Sequence, residues 1–170
     1  FLAIVVADVA SMSERRTYAF LDKARNQGLL PFLAHEVGVD SGLMIAQYTA
    51  AGIVSELKRL AAPASADSIP SSAMQEDHVS MGWAAARKLR RAIDGLGRVL
   101  AIELMTAARG AELRAPLEQG PATGAVTAAL RATVPGPGPD RHLSPEIEAA
   151  VAFVASGAAR TAALTITPLH

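Results

Sequence analysis

The run Lys88-Leu89-Arg90-Arg91-Ala92-Ile93-Asp94-Gly95-Leu96-Gly97-Arg98-Val99-Leu100-Ala101-Ile102-Glu103-Leu104 decides the fold. Leu89, Ile93, Leu96, Leu100 and Leu104 step by four, three, four and four, the spacing of one face of an α-helix. Val99 and Ile102 widen the stripe, so the helix is expected to meet neighbours on more than one side. The helical pattern extends outward from about His78 or Ser80 to Arg114, and Pro116 ends it. At about 1.5 Å per residue such a helix reaches on the order of 50 Å. That is longer than a compact domain of 170 residues needs. Helices of this length belong to large bundles. The Leu89–Leu104 stripe is therefore expected to be buried against other helices, some of them from other subunits.

The flanking sequence is helical too. A first helix is read from about Phe1 to Arg25, with Gly28 as its stop. After a loop through Pro31, Gly38 and Asp40, either Asp40 or Ser41 can cap a second helix running to about Ala61. Its apolar stripe is Leu43, Ala46, Ala50, Ile53, Leu57 and Leu60, and Pro63 closes it. Pro63 to about Asp77 is irregular. Beyond Pro116, a short helix spans about Pro121 to Ala132, and Ser144 is placed to cap a last one, with Pro145 at its first position and Glu146 in its first turn. This helix fades near Gly157. The reading is one all-α long-helix bundle over residues 1–157 and a tail, 158–170, without a period.

Composition agrees and sets limits. The chain is 51% hydrophobic but 4% aromatic, so strong helix formers rather than strand formers supply the apolar content. Sixteen basic residues balance sixteen acidic ones, which leaves no electrostatic footprint for nucleic acid or an anionic membrane surface. Cysteine is absent, removing disulfides, thiolate metal sites and cysteine nucleophiles, and fitting a reducing cytoplasm. No apolar run approaches the roughly 18 residues that span a bilayer. Phe1 is read as lying inside a helix of a longer protein, because no basic segment precedes the apolar start.

Candidate chemistry concentrates in Asp67-Ser68-Ile69-Pro70-Ser71-Ser72-Ala73-Met74-Gln75-Glu76-Asp77-His78-Val79-Ser80-Met81. Three adjacent titratable side chains, Glu76, Asp77 and His78, stand where a loop feeds the longest helix. They can aim a carboxylate and an imidazole into a pocket, or they can merely complement the helix dipole. His35, His78, His142 and His170 show no metal-ligand spacing. No Gly-x-Ser-x-Gly elbow is present. Val134 to Asp140 is rich in glycine, but its prolines remove the N–H donors a phosphate cradle requires.

The run Ser72-Ala73-Met74-Gln75-Glu76-Asp77-His78-Val79-Ser80-Met81 resembles a segment that lines the active site of the histidine ammonia-lyases, within the aromatic amino acid ammonia-lyases. Further similarity lies in Ser11-Met12-Ser13-Glu14-Arg15-Arg16, Val39-Asp40-Ser41-Gly42-Leu43-Met44-Ile45-Ala46-Gln47, Pro63-Ala64-Ser65-Ala66-Asp67-Ser68-Ile69-Pro70, Arg98-Val99-Leu100-Ala101-Ile102-Glu103 and Asp140-Arg141. The resemblance implies the C-terminal part of an aspartase/fumarase-like helical fold, and elimination of ammonia from L-histidine to give urocanate. It implies a homotetramer whose active sites draw on several subunits, with Glu76 catalytic and Leu43, Gln75 and Glu76 at the substrate. Leu43 stands where some members carry Phe, and Met74 where relatives carry Asn. The electrophile implied is a methylidene-imidazolone made from an upstream Ala-Ser-Gly. Ala155-Ser156-Gly157 lacks the flanking sequence of that site and is read as a helix end. The competing readings are a non-catalytic helical assembly piece or degenerate paralogue, and a related aromatic amino acid lyase or aminomutase, against which Glu76 argues.

Overall fold

The computed structural model describes residues 1–166, and all its named elements are helices. Six α-helices follow one another: α1 Leu2–Leu21, α2 Met44–Leu60, α3 Gly82–Glu112, α4 Pro121–Arg131, α5 Ser144–Ala155 and α6 Ala158–Ile166. Among the described residues no single helix is long and apolar enough to cross a membrane. Single 3₁₀ turns lie at Pro31–Leu33 and Ala64–Ala66.

α3 is the spine. At 31 residues it is about 46 Å long, and it serves two cores in succession. Ala92, Val99 and Ile102 pack with Ala7, Ala10 and Leu21 of α1 and with Ala46, Ala50, Val54, Leu57 and Leu60 of α2. Further along, Ala101, Met105 and Ala108 pack with Leu130 of α4, Val134, and Ala150 and Phe153 of α5. α6 returns against α4. Small residues let the helices approach. A Cβ on Gly110 would lie 2.9 Å from the Phe20 ring, and one on Gly95 the same distance from Leu57. Charged pairs tie the outside: Arg131 meets Glu112 through two bonds of 2.6 and 2.7 Å, and Arg98 meets Glu148.

Some expectations need correction and others refinement. Within this chain the buried face of α3 runs through Ala92, Val99, Ile102, Met105 and Thr106; Leu96 and Leu104 pack half-buried against the two cores, Leu89 and Leu100 are half-buried, and Ile93 is exposed. Apolar spacing marks a stripe of large side chains, whereas the face turned to the neighbouring helices is the adjacent arc, on which Ala92 and Thr106 stand beside Val99, Ile102 and Met105. α1 stops at Leu21, four residues before Arg25, because Asp22 turns the chain, accepting from the Ala24 N–H and pairing with Arg25. No side chain caps α2 or α5. Leu43 and Leu143 hold the N-cap positions, and Asp40 is engaged elsewhere. Glu146 does stand in the first turn of α5, as expected, and is buried in an ion pair with Arg141. The tail is helical through Ile166, since Gly157, at φ +76°, reverses the chain and lets α6 begin at once. His170 lies outside the described residues.

Candidate functional site

The loop between α2 and α3 is closed at two levels. The Val79 N–H donates to Ser68 Oγ at 2.9 Å. Inside that tie, the Ser71 N–H donates to the Glu76 carbonyl at 2.9 Å and the Glu76 N–H to the Ser71 carbonyl at 3.3 Å. The reversal between them is made by Ser72, Ala73 and Met74, at φ +53°, +53° and +70°. No glycine takes part. A non-glycine residue in this left-handed region lies roughly 1–2 kcal/mol above its right-handed alternative, and what closes the run of three is the set of bonds across the loop.

Gln75, Glu76, Asp77 and His78 are all exposed. Helix α3 begins only at Gly82, so the acidic pair stands outside its first turn and does not complement its dipole. Among the described residues the side chains of Asp67, Glu76, Asp77 and His78 form no ion pair and no hydrogen bond within the chain. The backbone of Glu76 is therefore fixed while its carboxylate is uncommitted.

Leu43 is placed differently. It is 3% exposed, in the core at the start of α2, so in this chain it packs rather than faces an open surface. Its corner is rigidly built. Gly42 has φ +59°, and the Leu43 N–H donates to the Phe32 carbonyl at 2.9 Å. Asp140 accepts from the Ser41 and Gly42 N–H groups at 2.6 and 2.8 Å. Asp40 in turn accepts from the N–H groups of Asp140, at 2.8 Å, and Glu36, at 3.0 Å. These bonds, first of all the one from Asp140, hold the Asp40 carboxyl below the usual aspartate value, with His35 and Arg109 adding attraction. Arg109 lies buried close by and donates to the Gly138 carbonyl. Burial lowers its guanidinium from the usual arginine value, and the Arg141 charge acts in the same direction.

The larger openings lie elsewhere. A cleft of about 460 Å³ is lined by the start of α1, Leu60 to Ser65 and the first turns of α3. Another, of about 340 Å³, is lined by Arg16, Phe20, Arg25, Asn26 and Arg114. Among the described residues no group of three histidine, cysteine or carboxylate side chains could hold a metal ion.

The family model for aromatic amino acid lyases matches residues 1–132. The chain belongs to the aromatic amino acid lyase family. It is 66% identical over 168 residues to a histidine ammonia-lyase from Streptomyces avermitilis, covering 98% of this chain and 33% of that protein. A histidine ammonia-lyase from Symbiobacterium thermophilum is 52% identical over 157 residues, 92% of this chain and 31% of that protein. The fold superposes on the crystal structure of histidine ammonia-lyase from Trypanosoma cruzi with a TM-score of 0.92 at 38% identity, covering 98% of this chain and 32% of that one. A tyrosine aminomutase from Streptomyces globisporus gives 0.93 at 31% identity, over 99% of this chain and 32% of that one. The chain spans about a third of the length of the curated relatives it matches.

Much of the sequence that ties this chain to the aromatic amino acid lyases is scaffold. Ser13, fully buried on α1, donates to Glu103 of α3 at 2.5 Å, and Arg16 pairs with the same carboxylate. Glu14 accepts from Gln47 of α2 at 2.6 Å and from Arg15 at 2.6 and 2.7 Å. Burial pushes the Glu14 carboxyl up, but these bonds and the Arg15 and Lys58 charges outweigh it and hold it below the usual carboxylate range. Nothing in the sequence pattern singled out Glu14, Gln47 or Glu103 as an interhelix network. Ala155-Ser156-Gly157 does not fit an electrophile precursor. The Ser156 and Gly157 N–H groups donate to Ala152 and Val154, and Ser156 Oγ donates to Phe153 while accepting from the Ala158 N–H. It is a helix end.

Proposed function

We propose that this chain forms one wall of the active site of a histidine ammonia-lyase, in which L-histidine loses ammonia to give urocanate. The observation that carries the reading is Glu76: a carboxylate uncommitted within the chain, on a backbone held by two hydrogen bonds. The likeness to proteins named histidine ammonia-lyase at up to 66% identity supports that substrate over tyrosine or phenylalanine. In this reading Glu76 and the neighbouring Gln75 face the substrate. Glu76 stands beside its imidazole or amino group and holds or moves a proton there, as a positioned carboxylate can. Leu43 does not join Gln75 and Glu76 in this chain: it is buried at the start of α2, while the loop carrying them follows the far end of that 17-residue helix.

The electrophile implied by the resemblance, a methylidene-imidazolone, has no fitting precursor in this chain, so other parts of the assembly would supply it. We place the assembly in the cytoplasm and infer a homotetramer whose subunits share each site. A lyase assembled from this chain and the remaining two thirds of the Streptomyces avermitilis relative provides the test, read by urocanate absorbance. Glu76→Gln should cut turnover by about 10²–10⁴-fold, the usual worth of one positioned acid–base group. Unchanged turnover would return Glu76 to a solvated loop carboxylate and leave a helical assembly piece as the better reading.

A further inference from the structure

We propose that the left-handed run Ser72-Ala73-Met74 is the positioning element of the site, with Ala73 at its centre setting the direction in which Glu76 presents its carboxylate. The inference rests on the reading of Glu76 above and adds residues to which no role has been given. Its ground is local geometry. A turn that only needed to be short could use glycine, for which φ near +55° is free. Here three side-chain-bearing residues occupy that region in succession. The run delivers the chain into the paired backbone bonds between Ser71 and Glu76, with the Gln75 N–H donating to the Ser72 carbonyl at 3.1 Å on the way.

Ser72, Ala73 and Met74 are exposed in this chain and none contributes to either core, so packing within the chain does not explain their conformation. What the conformation fixes is the register of residue 76 against residue 71. Side chains leave opposite faces of an extended pair in alternation, so a turn lengthened or relaxed by one residue would aim the Glu76 side chain the other way. Ala73 and Met74 thus act through Glu76 and not on the substrate.

The experiment uses the assembled lyase described above. Ala73→Val places a β-branched residue where φ is positive, a poorly tolerated choice there. It should lower kcat by about tenfold or more, with KM changed less, because the conformational bias it reverses is of that order. Met74→Ile should repeat the effect. Met74→Asn, a residue that tolerates this region, should keep turnover close to that of the parent. The deciding measurement is the double variant: with Glu76→Gln already present, Ala73→Val should cost little more, since the group it positions is gone.

The outcomes separate the two readings. If Glu76→Gln costs turnover strongly but Ala73→Val and Met74→Ile leave kcat unchanged, the turn has no positioning role although Glu76 keeps its own. Equal losses from Ala73→Val with and without Glu76 would show general damage and overturn the proposal. A harmless Glu76→Gln would remove the group the turn is said to aim, and both readings with it.

Discussion

At Gly42 two constraints coincide: φ is +59°, and a Cβ would lie 2.5 Å from the Phe32 carbonyl oxygen and 2.9 Å from Cα of Ala34. Neither neighbour is a flexible side-chain end, so a substituent displaces backbone. Gly42→Ala should destabilise the chain by about 1–3 kcal/mol, read as a lower thermal midpoint. Asp40, in the same corner, gives a pH signature. Its folded carboxyl is held below its unfolded value, so its contribution is fully present above the unfolded value, about pH 4, and fades as pH falls through the lower folded one. The thermal midpoint of Asp40→Asn should therefore lie below that of the parent at pH 7, and the gap should narrow below about pH 4. These residues show where reading from sequence stops. Asp40 is a plausible local cap, and nothing nearby in the chain announces a partner in Asp140. At Met74 the reverse holds: the resemblance implies Asn in relatives, and the φ of +70° is one that Asn tolerates.

Helix existence was legible along most of the chain, because 3.6-residue periodicity and proline stops are local signals; which face of a helix is buried was not. For α3 the apolar spacing pointed to Leu89, Ile93, Leu96, Leu100 and Leu104, but the tightest contacts fall on the neighbouring arc of Ala92, Val99 and Ile102. A direct comparison tests the assignment. Ile102→Ala, in a fully buried position, should cost about 2–5 kcal/mol. Ile93→Ala, on the exposed flank, should stay within about 0.5 kcal/mol in the isolated chain. Chemical denaturation of both variants checks the pair, and equal losses would restore the original stripe. α6 was missed for a related reason: nine residues are too few for a period to stand out, and its packing against α4 brings together segments well apart in sequence.

For the whole molecule, Leu2, Val5, Ile45, Tyr48, Trp83 and Ile93 are large apolar side chains left exposed. The 170-residue chain on its own should therefore associate, and sedimentation velocity showing a single stable monomer would contradict this. The isolated chain should also produce no urocanate from L-histidine, because its one Ala-Ser-Gly is bound into a helix end. A rise in urocanate absorbance above buffer would overturn that. The unbroken backbone of α3 carries a further consequence. Amides around Val99 to Met105 lie where the α1–α2 side hands over to the α4–α5 side, so their hydrogen bonds are shielded by both. If either side opens by itself, the other still protects that stretch from solvent. Amide hydrogen exchange should accordingly be slowest there and should report only complete unfolding, with the helix ends exchanging earlier alongside the partners they leave. The two halves should then behave as foldons that can open separately but are coupled through one shared rod.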